Sequence, residues 1–89
     1  MVWEIEWEDE AVKELKKLDA RAQRNIVRYL REKIATDQDP RRFGDPLRKE
    51  LKGLWKYRIG KYRIICSIED SNLLVLVVRV GHRRYVYNG

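Results

Sequence analysis

The chain has 89 residues and carries 20 Lys and Arg against 14 Asp and Glu, a formal charge of +6. That length allows one small domain, residues 1-89, with a single modest core, and a hydrophobic content of 44% argues against disorder. A lone Cys66 excludes an internal disulfide, the single His82 leaves no clustered metal ligands, and no apolar run approaches a membrane span.

Residues 2–7 predict a strand, because Trp3, Ile5 and Trp7 alternate with Glu4 and Glu6. The tryptophans read as core or edge-packing residues. The acidic start shows no apolar signal region, and Cys66 falls at an inward strand position, so a reducing, cytoplasmic location is expected. Asp9 suits a helix cap, and Ala11, Val12, Leu15 and Leu18 recur at helical spacing. Asp19 suits the cap of a second helix whose apolar stripe is Ala22, Ile26, Tyr29, Leu30 and Ile34, with Val27 beside it. Arg21, Arg24, Arg28 and Arg31 step along its other side as a basic ridge, by default a solvated face. This helix should end near residues 35–37. Residues 36–46 hold Pro40, Gly44 and Pro46 and read as an irregular connection, after which Leu47, Leu51 and Leu54 lead into the next strand.

Residues 54–65 predict a β-hairpin. Trp55, Tyr57 and Ile59 alternate with Lys56 and Arg58, while Tyr62, Ile64, Cys66 and Ile68 alternate with Arg63, Ile65 and Ser67. Gly60-Lys61 fits a two-residue loop in which Gly supplies a positive φ. That loop places Ile59 opposite Tyr62, Arg58 opposite Arg63 and Tyr57 opposite Ile64. Two arginines directly opposite one another destabilise a sheet. Either they splay into solvent or they hold an anion. A turn at residues 69–72 follows, of two or three residues, and the choice reverses the side to which Arg79 and Arg83 point. Residues 73–78 form a continuous apolar run, the pattern of a strand covered on both faces. Gly81 then interrupts the strand before His82, Arg83, Arg84, Tyr85 and Tyr87.

The element order strand-helix-helix-strand-strand-strand gives an α+β fold. Two N-terminal helices pack on one face of a small, mostly antiparallel four-stranded sheet. The opposite face carries Lys56, Arg58 and Arg63. From Arg48 onward ten basic residues stand against three acidic ones, a distribution that suits a polyanion or an acidic protein partner. Paired carboxylates, a Ser/His/Asp order and a glycine-rich phosphate loop are missing from this set. A basic cluster with a phenol can bind a phosphodiester and balance charge that builds on it. With RNA the ribose 2′-hydroxyl supplies the nucleophile, arginine clamps the phosphate oxygens and tyrosine stacks on a base. A plain basic binding surface is the alternative.

Residues 51–65, Leu-Lys-Gly-Leu-Trp-Lys-Tyr-Arg-Ile-Gly-Lys-Tyr-Arg-Ile-Ile, resemble the core of the RelE/ParE toxin superfamily. The ending Val80 to Tyr87 resembles the RelE branch, and residues 9–18 resemble the family's first helix. The resemblance covers almost the whole chain. It implies a toxin of a toxin–antitoxin pair that cuts mRNA in the ribosomal decoding site, against 16S rRNA, without metal or cofactor. A cognate RelB-like antitoxin would cover the basic surface. Lys56 falls on the family's proposed general base, Arg58 on a second basic position and Arg63 on the phosphate-clamping arginine. Arg83 falls on an arginine acting on the leaving group or transition-state charge, and Tyr87 on the base-stacking tyrosine. Lys49, Lys52, Lys61, His82, Arg84 and Tyr85 are expected to contact RNA around that set. The short spacing from Arg83 to Tyr87 makes Tyr85 an alternative stacking residue, and His82 a lesser acid or base. The ParE branch, which acts on DNA gyrase, and a non-catalytic basic module are the rival readings.

Overall fold

The computed structural model describes residues 1–82; Arg83, Arg84, Tyr85 and Tyr87 lie outside them. Strand β1 (Glu4–Trp7) runs into helix α1 (Asp9–Lys16), and α2 (Ala20–Tyr29) continues into a π-helical turn over Leu30–Ile34. A 3₁₀ turn at Pro40–Arg42, the two-residue β2 (Asp45–Pro46) and a second 3₁₀ turn at Lys49–Leu51 lead to β3 (Leu54–Ile59). β4 (Tyr62–Glu69), a third 3₁₀ turn (Asp70–Asn72) and β5 (Leu74–His82) complete the order.

The sheet has five strands in the order β1-β5-β4-β3-β2, not the four expected. β1 runs parallel to β5, and the remaining pairs are antiparallel, so the sheet is mixed. The additional strand is Asp45–Pro46, inside the stretch read as an irregular connection. Proline has no N–H for a ladder and is tolerated at an edge, which hides such a strand from pattern reading.

One side of the sheet holds the main core. Ala11, Ile26, Leu30 and Ile34 pack there on Tyr57, Ile64, Cys66, Val75, Val77 and Val80. The two helices thus share one face, as the amphipathic stripes require. Trp3 is buried in this core, and Trp7 and Trp55 pack against it. Asp19 caps α2, its carboxylate accepting from Ala22 N–H at 2.7 Å. Asp9 is instead the first residue of α1; Glu8 occupies the cap position without a side-chain hydrogen bond. Asp19→Ala is expected to cost about 1 kcal/mol, read as a thermal midpoint lowered by roughly 4–8 °C.

The other side of the sheet has a smaller apolar cluster. Leu47 and Ile65 are buried, and Leu51, Leu54 and Val78 pack around them. The apolar run of β5 is therefore covered on both faces over part of its length. Among the described residues, no helix is long and apolar enough to cross a membrane.

Candidate active site

The hairpin register is the predicted one: Ile59 faces Tyr62, Arg58 faces Arg63 and Tyr57 faces Ile64. Gly60 adopts φ +60° at the first loop position, the requirement of a type II′ turn. Tyr57 and Ile64 are fully buried in the main core, so Lys56, Arg58 and Arg63 share the opposite face. There Arg58 is exposed, and Lys56 and Arg63 are half-buried. Directly opposed residues in an antiparallel pair have Cβ atoms about 5 Å apart, so the two guanidinium groups start from adjacent stems.

β2 extends this face. Asp45 pairs with Lys56, and Pro46 with Trp55. Two aromatic residues of β3 tether the segment that leads into β2. The Tyr57 hydroxyl donates to Pro40 O at 2.8 Å, and Trp55 Nε1–H donates to Phe43 O at 2.6 Å. Burial pushes the Tyr57 phenol well above its usual range and does the same to the Cys66 thiol. Asp45, Pro46, Arg48, Lys56 and Arg58 then line an open groove of about 350 Å³. Arg48 and Asp45 were not singled out from the sequence. Nothing in the pattern of residues 36–48 signals that the chain folds back along β3; the one hint is Gly44 just before Asp45.

The remaining candidates are dispersed. Lys49 lies in the 3₁₀ turn before β3 and Lys52 just after it, both exposed. They sit at the start of β3, whereas Arg58 lies near its end; the four-residue rise from Leu54 to Arg58 is about 13 Å. Lys61 lies at the hairpin tip and, with Asp19, Arg21, Asn25 and Tyr62, lines a separate groove of about 290 Å³. His82 pairs with Tyr62 in register, their rings meeting edge to face at 6.0 Å between centroids. Since Tyr62 packs against the main core, this places His82 on the helix side of the sheet.

The last strand does not keep a single phase. The connection holds four residues, since Glu69 pairs with Leu74, and not the two or three expected. A bulge between Ile65 and Cys66 then resets the register, so that Cys66 faces Val77 while Ile65 faces Arg79. Arg63 thereby pairs with Gly81. Arg79 reaches α1: its Nε donates to both Glu14 carboxylate oxygens at 3.1 Å, and its Nη2 donates to Oε2 at 3.0 Å. Glu14 Oε1 also accepts from Val80 N–H at 2.9 Å. Burial alone would raise the Glu14 pKa, but the hydrogen bonds from Arg79 and Val80 and the charges of Arg79 and Lys17 outweigh it and hold it below 4.5. A depressed carboxylate pKa contributes stability that is present above the unfolded value and lost as pH falls through the folded one. Acid below pH 4.5 is therefore expected to weaken this contact. Chemical-denaturation midpoints at pH 7 and pH 3 should differ less in Glu14→Gln than in the parent.

Residues 5–87 match the family model described as the ParE toxin of the type II toxin–antitoxin system parDE. Toxin RelG of Mycobacterium tuberculosis is 32% identical over 87 residues, covering 98% of both chains. Toxin RelE of the same organism is 37% identical over 49 residues, 55% of this chain and 50% of that one. The crystal structure of the toxin–antitoxin complex RelBE2 from M. tuberculosis superposes with a TM-score of 0.85 at 31% identity, over 93% of both chains. The chain belongs to the RelE/ParE-like superfamily of toxins from type II toxin–antitoxin systems.

Proposed function

We propose that this toxin is a ribosome-dependent endoribonuclease that cuts mRNA by attack of a ribose 2′-hydroxyl on the adjacent phosphate. The observation that carries this reading is the Arg58–Arg63 pair beside Lys56 on the sheet face opposite the helices. In the reaction Lys56 takes the 2′-hydroxyl proton. The 2′-oxygen bonds to phosphorus as the bond to the 5′-oxygen breaks. Arg58 and Arg63 hold the non-bridging oxygens, whose charge grows in the crowded intermediate. Arg83 balances the charge on the departing 5′-oxygen, which takes a proton from solvent to become a 5′-hydroxyl and leaves a 2′,3′-cyclic phosphate, and Tyr87 or Tyr85 stacks on the base. Arg48, which lines the groove with Arg58, steers the backbone in. The whole-chain relatives named RelG and RelBE2 support the RelE branch. A cytoplasmic site of action follows from a ribosomal substrate. A RelB-like antitoxin is the expected partner, because the RelBE2 neighbour is a toxin–antitoxin complex.

The family model's ParE name favours a second reading, inhibition of DNA gyrase. One experiment separates the two. Purified toxin is added to a ribosome-containing extract, mRNA ends are mapped by primer extension, and supercoiling by gyrase is followed in parallel. Discrete ribosome-dependent cuts with 5′-hydroxyl ends, abolished by a single 2′-deoxy substitution at the cleavage position, are the expected result. Intact mRNA with gyrase-dependent DNA breaks would overturn the ribonuclease reading.

A further inference from the structure

The groove beside the arginine pair contains one group that works against phosphate binding. Of the described residues that line it, Arg48, Lys56 and Arg58 are basic, Pro46 is neutral and Asp45 is a carboxylate. Asp45 faces Lys56 directly across β2 and β3, a pairing that sets two Cβ atoms about 5 Å apart. It is exposed, and among the described residues its side chain makes no ion pair. A carboxylate in that place repels each phosphate that enters the groove.

The backbone that carries it is nonetheless fixed on both sides. Before Asp45, the carbonyls of Pro40 and Phe43 accept from Tyr57 and Trp55. Arg41 forks onto Asp70 at 2.9 and 2.7 Å, and Arg42 Nη2 donates to Lys33 O at 3.0 Å. After it, Leu47 is buried and its N–H donates to Leu54 O at 3.0 Å. These tethers hold the stem of the carboxylate at one place over the groove, the condition for reading a ligand group.

An RNA strand offers a carboxylate few partners. Its phosphates only accept, and its ribose 2′-hydroxyl is a single donor common to every nucleotide. On the Watson–Crick edges of uracil, cytosine and adenine, each N–H donor stands beside a lone pair that repels a second carboxylate oxygen. Guanine presents two adjacent donors, N1–H and N2–H, and one carboxylate accepts both. Asp45 is the diagonal neighbour of Arg58, about 7–8 Å away. A base bound there belongs to a nucleotide flanking the phosphate held by Arg58 and Arg63. We infer that Asp45 is a specificity-determining residue, which reads a guanine next to the scissile phosphate through a two-pronged contact with N1–H and N2–H. The inference rests on the proposed ribonuclease function.

The test measures a ratio. Ribosome-bound mRNAs carrying guanine, inosine or adenine at either position flanking a cut are cleaved by the full chain under single-turnover conditions. The parent is expected to favour guanine over adenine by about 10–100-fold at one of the two positions. Inosine, which lacks the 2-amino group, should fall between. Asp45→Asn replaces two acceptors by one acceptor and one donor. Its guanine preference should shrink to a few fold, while it cuts the adenine substrate at least as fast as the parent does. Arg48→Ala, the control, should weaken cleavage of all three substrates alike. A parent without guanine preference, or a preference retained in Asp45→Asn, would overturn the inference. If the parent cleaves nothing, the ribonuclease reading fails, and fluorescence anisotropy with short single strands carrying a central guanine or adenine decides on Asp45 alone. A guanine preference in binding that Asp45→Asn loses would support the contact, and equal affinities would overturn it.

Discussion

Arg58→Thr is expected to abolish function and stabilise the fold at the same time. The two effects come from one cause. Arg58 and Arg63 are directly opposed across β3 and β4, and like charges in such positions repel by about 0.2–1 kcal/mol. Threonine removes the charge while keeping a side chain that suits a strand. The thermal midpoint should therefore rise by roughly 1–6 °C. Over the same substitution, cleavage of ribosome-bound mRNA should fall by about 10²–10³-fold, the usual loss when one preorganised donor is taken from a developing oxyanion. Arg58→Lys keeps the charge without the two-pronged guanidinium and should fall between. A solvated basic face would give the stabilisation without the loss of cleavage. Rate and midpoint measured on the same samples discriminate the two readings. Stability given up for function is common at sites of this kind.

Gly44→Ala is expected to be the most damaging single-atom addition to the scaffold. Gly44 sits at φ +79°, and a Cβ there would run into the backbone carbonyl of Lys56, with Trp55 Nε1 at 2.7 Å and Tyr57 Cδ1 at 2.9 Å. These neighbours are backbone and packed aromatic rings, so they cannot swing aside. The strained backbone and overpacking together cost about 2–5 kcal/mol, a loss of roughly 10–30 °C in thermal midpoint. The clash falls on the residue proposed to take the 2′-hydroxyl proton, so any folded fraction should also cleave poorly. Differential scanning calorimetry gives the first quantity and cleavage per folded molecule the second. A shift of less than a few degrees would show that the 40–46 segment is free to move off β3.

The hairpin was fully legible in the sequence because each of its signals is local. Period-two alternation assigns the faces, and Gly60-Lys61 fixes the register within two residues. The stripes of α1 and α2 were legible for the same reason. What the sequence hid depends on contacts between distant segments. Asp45 and Arg48 belong to the groove because β2 pairs with β3 and because Trp55 and Tyr57 hydrogen-bond the carbonyls of Phe43 and Pro40. The phase of β5 shifts at the bulge, which lets Val77 and Val80 both enter the main core, and no alternation rule contains that. His82 shows the consequence: the bulge puts it opposite Tyr62 on the helix side. Lys49 and Lys52 were grouped with the site by charge alone, and the 3₁₀ turn holds them at the far end of β3.

The parallel pairing of Glu4 with Leu74 shapes how the molecule comes into being. Strands at opposite ends of the described chain must meet before β1 has a neighbour, and closing so long a loop is entropically slow. Until β5 slides between β1 and β4, α1 lacks the strand it packs on, and the stripe of α2 has only Tyr57, Ile64 and Cys66 of the hairpin to bury against. The β3–β4 hairpin meanwhile stands as an isolated two-stranded ribbon, marginal in water. Assembly is thus deferred to one late, cooperative event, and a chain stopped at residue 73 should be a loose coil with a transient hairpin. Such a topology allows no half-made toxin; the basic face becomes rigid in the same step that completes the core.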